Sequence, residues 1–246
     1  MKKYAFVNQK GGVGKTTLAH NSAAGLALRG RKVLAIDLDA QMNLTTASRA
    51  TGENGTIRDV LNGELSIAEA AEHTPEGYDV VAASAGLVTA DRDYFQGMKG
   101  FLLLAHSLEN LTGYDVVVMD APPNLGILTL QALIAADAAV IATTPEPKAV
   151  EAINRTAETI VEARELNPSL CVAAVVCTSY DRRAALYRQL AGEAEEIAAA
   201  MGAPFLTLRR TVLASEAMTA RESLFKYAPR AAIIDDLNAV IDTLDK

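Results

Sequence analysis

The sequence predicts a doubly wound α/β fold, a mostly parallel sheet flanked by helices on both faces. Three observations predict it. Short apolar runs recur along the whole chain and alternate with longer helical patterns. Several of these runs are unbroken Val, Ile, Ala and Leu, as strands buried on both faces require. Half of the 246 residues are hydrophobic, enough for a large core. No linker, low-complexity segment or internal repeat breaks the rhythm, so residues 1–246 read as a single domain.

Taken in order, the apolar runs place strands at residues 4–8, 32–37, 78–83, 114–120, 138–143, 170–177 and 204–208. Helical spacing of apolar residues places helices at 16–29, 125–136, 147–166 and 183–201. Gly30 and Gly202 fall where helix stops belong. Residues 57–61 and 67–71 read as two short helices separated by Asn62-Gly63. Residues 84–100 contain glycines and fit no element. The run at 233–241 is amphipathic and acidic, which suits core packing better than a membrane surface, where Lys and Arg would be expected.

Composition narrows the function. The net charge of −7 argues against a globally basic nucleic-acid binder. The charge is uneven, however: residues 171–230 carry +2 and the remainder −9. A local basic face is compatible with that distribution. The two cysteines, Cys171 and Cys177, lie in one apolar run and read as small core residues of a buried strand. They have neither zinc-site spacing nor the number a disulfide framework needs, which suits a reducing cytosol. No stretch approaches the ~18 apolar residues of a membrane span. The first strand begins within about three residues of the start, so neither a signal peptide nor an N-terminal DNA-reading domain is expected.

The most informative stretch is Asn8-Gln9-Lys10-Gly11-Gly12-Val13-Gly14-Lys15-Thr16-Thr17. It follows an apolar run, Tyr4-Ala5-Phe6-Val7, and precedes a helical pattern. Strand, glycine loop and helix in that order cradle phosphates with backbone N–H groups and a helix N-terminus. Gly11, Gly12 and Gly14 permit close backbone approach. Lys15 is placed to reach the β- and γ-phosphates, and the Thr16 hydroxyl to coordinate Mg²⁺. The usual phosphate-loop pattern has glycine at position 9. This chain has Gln9 there, and a second lysine, Lys10, at the loop entrance.

Two carboxylate motifs accompany the loop. Asp37-Leu38-Asp39-Ala40-Gln41-Met42-Asn43 ends the second expected strand, where ligands of open α/β sheets gather. Two carboxylates two residues apart in an extended segment point opposite ways. Asp39 is therefore assigned to the γ-phosphate side, positioning water or reaching Mg²⁺ through water, and Asp37 to support at the strand end. Val116-Val117-Val118-Met119-Asp120 is an apolar strand ending in Asp, the form of the second phosphate-loop carboxylate that holds Mg²⁺ directly or through water; alone it reads equally as a strand-end cap, and the other two elements in order favour the carboxylate.

With these three elements in order, the chain resembles the ParA/MinD class of deviant-Walker P-loop ATPases. More narrowly, it resembles the small ParA partition ATPases, including the Soj type. Residues 10–17, 37–43, 78–84 and 114–123 carry the resemblance, with 125–130, 135–137 and 180–183. It spans nearly the whole chain. The resemblance implies ATP and Mg²⁺ as ligands and an ATP-dependent homodimer that sandwiches nucleotide. It makes Lys10 the signature lysine that crosses to the partner's phosphates, a role like that of an arginine finger. Lys15, Thr16, Asp39 and Asp120 match the phosphate-loop lysine, the Mg²⁺ ligand, the hydrolytic carboxylate and the second carboxylate. Nucleotide contacts are implied for residues 10–17: Lys10, Gly11, Gly12, Val13, Gly14, Lys15, Thr16 and Thr17. The resemblance further implies non-specific DNA binding in the ATP state, stimulation of hydrolysis by a ParB-type partner, and a cytoplasmic, nucleoid-associated protein without membrane binding.

Departures cluster near the C-terminus. Members often carry Ile-Pro-Arg-Asn where this chain has Leu208-Arg209-Arg210-Thr211, so adenine contacts are carried over only to Arg209 and Thr211. A basic residue often used for DNA falls at Leu213. On charge, Arg182, Arg183, Arg209, Arg210 and Arg221 replace it as DNA-binding candidates. The alternative reading is a related ATPase that positions a protein cargo, such as a carboxysome or chemosensory array, with the same switch. A membrane-bound division-site regulator is disfavoured by the acidic C-terminal run. An electron-transferring reductase is disfavoured because both cysteines fall in one strand.

Overall fold

The computed structural model describes residues 1–95 and 97–246. Among them, eight strands form one sheet: β1 (Lys2–Val7), β2 (Val33–Asp37), β3 (Glu72–His73), β4 (Asp79–Val81), β5 (Val116–Asp120), β6 (Ala138–Thr143), β7 (Cys171–Tyr180) and β8 (Phe205–Arg209). Their spatial order is β3-β4-β2-β5-β1-β6-β7-β8. Every neighbouring pair is parallel except β3 with β4, which is antiparallel. β1 lies between β5 and β6, so the chain winds away from it to both sides. Ligands of such sheets sit beyond the carboxyl ends of the strands at this switch point.

Successive side chains of a strand face opposite sides, and β1 shows the consequence. Tyr4 and Phe6 enter one core, shared with the helices Lys15–Leu28 and Ile233–Leu244. Ala5 and Val7 enter the other, under helices that include Ile57–Leu61, Leu103–Glu109, Ile127–Ala135, Ala149–Ala163 and Ala185–Ala200. Complete burial of a side chain such as Phe6 or Ile36 contributes about 1.5–3 kcal/mol. Helix Ala149–Ala163 shows the pattern the sequence uses: Ala149, Ala152, Ile153, Thr156, Ile160 and Ala163 are buried at three- and four-residue spacing. Glu151, Glu158 and Glu162 face solvent.

The acidic C-terminal run is a core helix. Ile233, Leu237, Val240, Ile241 and Leu244 are buried in the core shared with the first helix. At that contact Gly25 permits a close approach. A Cβ there would collide with Ile241 and lie 2.9 Å from the Phe225 ring.

Several expectations change. Cys171 is exposed, not a core residue, because it occupies the first position of β7 before the strand's buried middle. Cys177 is buried, as expected. β7 runs on to Tyr180, three residues past its expected end, through a bulge at which Ser179 takes φ 54°. The segment after β4 is a 3₁₀ turn, Ala85–Thr89, followed by a short helix, Ala90–Tyr94. It has a long-range use: Asp91 Oδ1 accepts the Ile127 N–H at 2.7 Å and caps the helix Ile127–Ala135 from outside. No helix among the described residues is long and apolar enough to cross a membrane.

Candidate functional site

The loop between β1 and the first helix is held from below by two polar side chains. Asn8 is buried; its amide donates to the Ala142 carbonyl and its Oδ1 accepts the Lys10 N–H at 2.8 Å. The Thr178 hydroxyl lies 2.7 Å from the Val13 carbonyl and 3.0 Å from the Thr143 carbonyl. Both legs of the loop are thereby tied to the end of β6. Gly14, with φ 82°, precedes the helix and packs on Thr178, whose side chain would lie 3.4 Å from a Cβ. No side chain caps this helix. The first intrahelical bond is that of Leu18 to the Gly14 carbonyl, so the N–H groups of Lys15, Thr16 and Thr17 have no intrahelical acceptor. That arrangement is an anion site.

Lys15 is 6% exposed, with Nζ 3.4 Å from the Lys10 carbonyl. Burial lowers its pKa, while the nearby charges of Asp120 and Asp39 pull it back up. The two strand-end carboxylates beside it are cross-strand partners, Asp37 on β2 and Asp120 on β5, yet they differ sharply. Asp37 accepts the Thr45 N–H and hydroxyl, both at 2.8 Å, and the Asp39 N–H at 3.1 Å. Burial raises its pKa to about 6 against those bonds. Asp120 is fully buried, and neither carboxylate oxygen has a hydrogen-bond partner among the described residues. Burial, then the charge of Asp37, raises it to about 8; the facing Thr16 hydroxyl and Lys15 ammonium pull it partly back. Asp39 lies at the cleft wall, its Oδ1 accepting the Gln41 N–H at 3.0 Å.

A buried carboxylate without partners, beside a threonine hydroxyl and a second carboxylate, is a set of hard oxygen donors. It fits Mg²⁺. Among the described residues no group of three or more His, Cys, Asp or Glu could hold a metal alone.

Above the loop opens a cleft of 1650 Å³. Gly11, Gly12, Gly14, Lys15, Thr16, Thr17 and Asp39 line one end, and Thr211 with Arg182, Arg183, Arg209 and Arg210 the other. The arginines are not equivalent. Arg209 makes a bidentate pair with Asp236, Nε–Oδ2 and Nη2–Oδ1 both 2.7 Å. The pair clasps β8 to the C-terminal helix. Arg183 pairs with Asp181 at 3.1 Å. Arg182 and Arg210 are exposed at the rim. Arg221 does not line the cleft. It takes φ 56°, and its carbonyl accepts Arg49 Nε at 3.1 Å.

Lys10 turns away from this cleft and pairs with Glu146, in the segment after β6. Sequence reading assigned no role to Asn8, Thr45, Glu146 or Thr178. For Asn8 and Thr178 a signal existed: each is a polar residue ending or interrupting an apolar strand at the carboxyl edge of the sheet. Thr45 and Glu146 carried no comparable signal.

A parallel sheet feeding a glycine loop, a buried lysine and two strand-end carboxylates defines a P-loop ATPase. The family described as "AAA domain" matches residues 1–172. The chromosome partitioning protein ParA of Caulobacter vibrioides is 39% identical over 198 residues, covering 78% of this chain and 74% of that protein. The chromosome-partitioning ATPase Soj of Thermus thermophilus is 36% identical over 231 residues, covering 93% and 89%. Among solved structures, cobyrinic acid a,c-diamide synthase from Mycobacterium smegmatis with bound ADP and magnesium aligns with TM-score 0.78 at 29% identity, covering 94% of this chain and 96% of that one. The chain belongs to the ParA/Soj family of partition-type ATPases.

Proposed function

We propose that residues 1–246 act as one ATPase domain, a dimeric switch driven by ATP·Mg²⁺. In its ATP state the switch binds DNA without sequence preference. With a ParB-type partner it segregates plasmid or chromosomal DNA over the nucleoid in the cytoplasm. The observation that carries this reading is the buried Asp120, whose carboxylate oxygens have no hydrogen-bond partner among the described residues, behind Lys15 and Thr16, which line the cleft. A site this expensive to keep empty is built for a cation and a polyphosphate.

The residues divide the work. The N–H groups of the first helical turn and Lys15 hold the β- and γ-phosphates. Thr16, Asp120 and Asp39 would hold Mg²⁺. When bound, the metal would neutralise charge on the phosphate oxygens. Asp39 also orients the attacking water, while Asp37, tied to Thr45, keeps the Asp39 loop in place. Lys10 serves the partner's phosphates. Arg209 and Thr211, at the far end of the cleft, border the space for the base. Arg182 and Arg210, with Arg183, form the rim offered to DNA phosphates.

DNA retention with ATP, ADP or no nucleotide, at two salt concentrations, tests this reading. Retention only with ATP, weakened steeply by salt, is the expected result. Retention independent of nucleotide, or none, contradicts it.

A further inference from the structure

Glu146 lies in Thr144-Pro145-Glu146-Pro147, directly beyond β6. The ring of Pro145 fixes its own φ, and Pro147 restricts the backbone of Glu146 before it. The Glu146 N–H donates to the Thr144 carbonyl at 2.8 Å, and the Glu146 carbonyl accepts the Ala149 N–H at 2.8 Å. The carboxylate is therefore presented from a stiff mount. It accepts a charge-assisted hydrogen bond from Lys10 Nζ, and that contact holds its carboxyl below the usual range. The backbone of Lys10 is fixed to the same strand end through Asn8. Both ends of Lys10 are thus anchored at β6, with the ammonium outside its own cleft. The pair stays accessible, Lys10 at 31% and Glu146 at 53% side-chain exposure. An ion pair this exposed is weak and easily exchanged.

We propose that Glu146 is a positioning residue that parks Lys10 in the free chain and surrenders it when the lysine reaches the phosphates of a second copy. This rests on the dimeric reading above. Glu146 and the partner's phosphates compete for one ammonium, so the carboxylate raises the concentration at which nucleotide-bound chains pair. Removing it should favour pairing by about 2- to 5-fold per protomer, the worth of an exposed ion pair. Two latches break per dimer, so the dimer dissociation constant should fall about 4- to 25-fold.

Two measurements on Glu146→Gln test this. In the nucleotide-free chain, an amine-acylating reagent followed by peptide mass spectrometry should label Lys10 about 2- to 5-fold faster than in wild type. Labelling of the exposed Lys148 should be unchanged and serves as the internal reference. With Mg²⁺ and the non-hydrolysable analogue AMPPNP, sedimentation should show the variant dimerising at lower protein concentration. Equal Lys10 labelling overturns the latch while leaving the dimer reading intact if wild type still pairs with the analogue. Faster labelling with an unchanged dimer constant overturns the competition. A wild type that never pairs overturns the dimer reading, and this inference with it.

Discussion

The two ends of the cleft are built on different principles. At the phosphate end, Lys15, Asp37, Asp39 and Asp120 are buried where the strands end. Asp37 and Asp120 are neighbours because β2 and β5 pair in register, and Lys15 follows β1 by one loop. At the far end, Arg182 and Arg183 on a turn and Arg209 and Arg210 at the end of β8 are exposed, and two of the four are already paired with Asp181 and Asp236. Chemistry that depends on burial tolerates few alternatives. Affinity for a polyanion depends only on the number of cations within reach, which many arrangements supply.

The largest expected effect falls at the phosphate end. Lys10→Ala should lower kcat by about 10³-fold or more, the scale of a cation supplied in trans. ATP affinity, measured by equilibrium dialysis, should change much less. Unchanged turnover would remove Lys10 from the mechanism and leave the phosphate end complete within one chain.

Asp120→Asn sharpens the contrast between the paired carboxylates. Unfolded, Asp120 releases its proton near 3.8; folded, near 8. The folded chain therefore holds more protons between those values, and its stability falls as pH rises through that window. In the nucleotide-free state the variant should be more stable than wild type at pH 9 by a few kcal/mol, with a smaller gap at pH 5. It should also lose Mg²⁺-dependent ATP binding. Thermal melts across pH decide it: a gap that shrinks with rising pH would show that Asp120 is not buried as a strained charge.

Gly25→Ala tests the scaffold that both ends share. Forcing a methyl between the first and last helices should cost about 1–3 kcal/mol, seen in chemical denaturation. A neutral substitution would mean that the helices separate without penalty.

Smaller effects belong to the arginine rim. Arg182→Ala with Arg183→Ala should weaken ATP-dependent DNA binding and make the salt slope shallower by about 1.8 for two lost phosphate contacts. Arg209→Ala should leave that slope unchanged and cost about 1 kcal/mol or less of stability, because its partner is Asp236. If Arg209 changed the slope and the pair did not, the rim would have been read the wrong way round.

Legibility followed the same division. Unbroken apolar runs gave the seven parallel strands to within a few residues, since a strand covered on both faces admits little else. The glycine loop and the strand-end aspartates were visible because backbone geometry demands those residue types there. β3 was missed because two residues carry no period. Helix Leu213–Ala220 was missed because only Ala217 in it is fully buried, so no apolar stripe announces it. Cys171 was misplaced because an apolar run does not show where its cover begins. The pairing of Arg209 with Asp236, 27 residues on, was not legible because charge alone does not reveal the partner of a guanidinium. The contacts of Asn8, Thr178 and Glu146 with the loop join distant segments, which only the folded sheet brings together.

The central claim is that each site is completed by a second chain. Mixing two inactive variants, Lys10→Ala and Asp39→Ala, tests it most directly. If Lys10 acts in trans, a mixed dimer holds one intact site, made of Asp39 from one chain and Lys10 from the other. With random pairing of equal amounts, hydrolysis should return to about a quarter of the wild-type rate at the same total concentration. A mixture as inactive as its components would contradict the shared site and return Lys10 to its own chain.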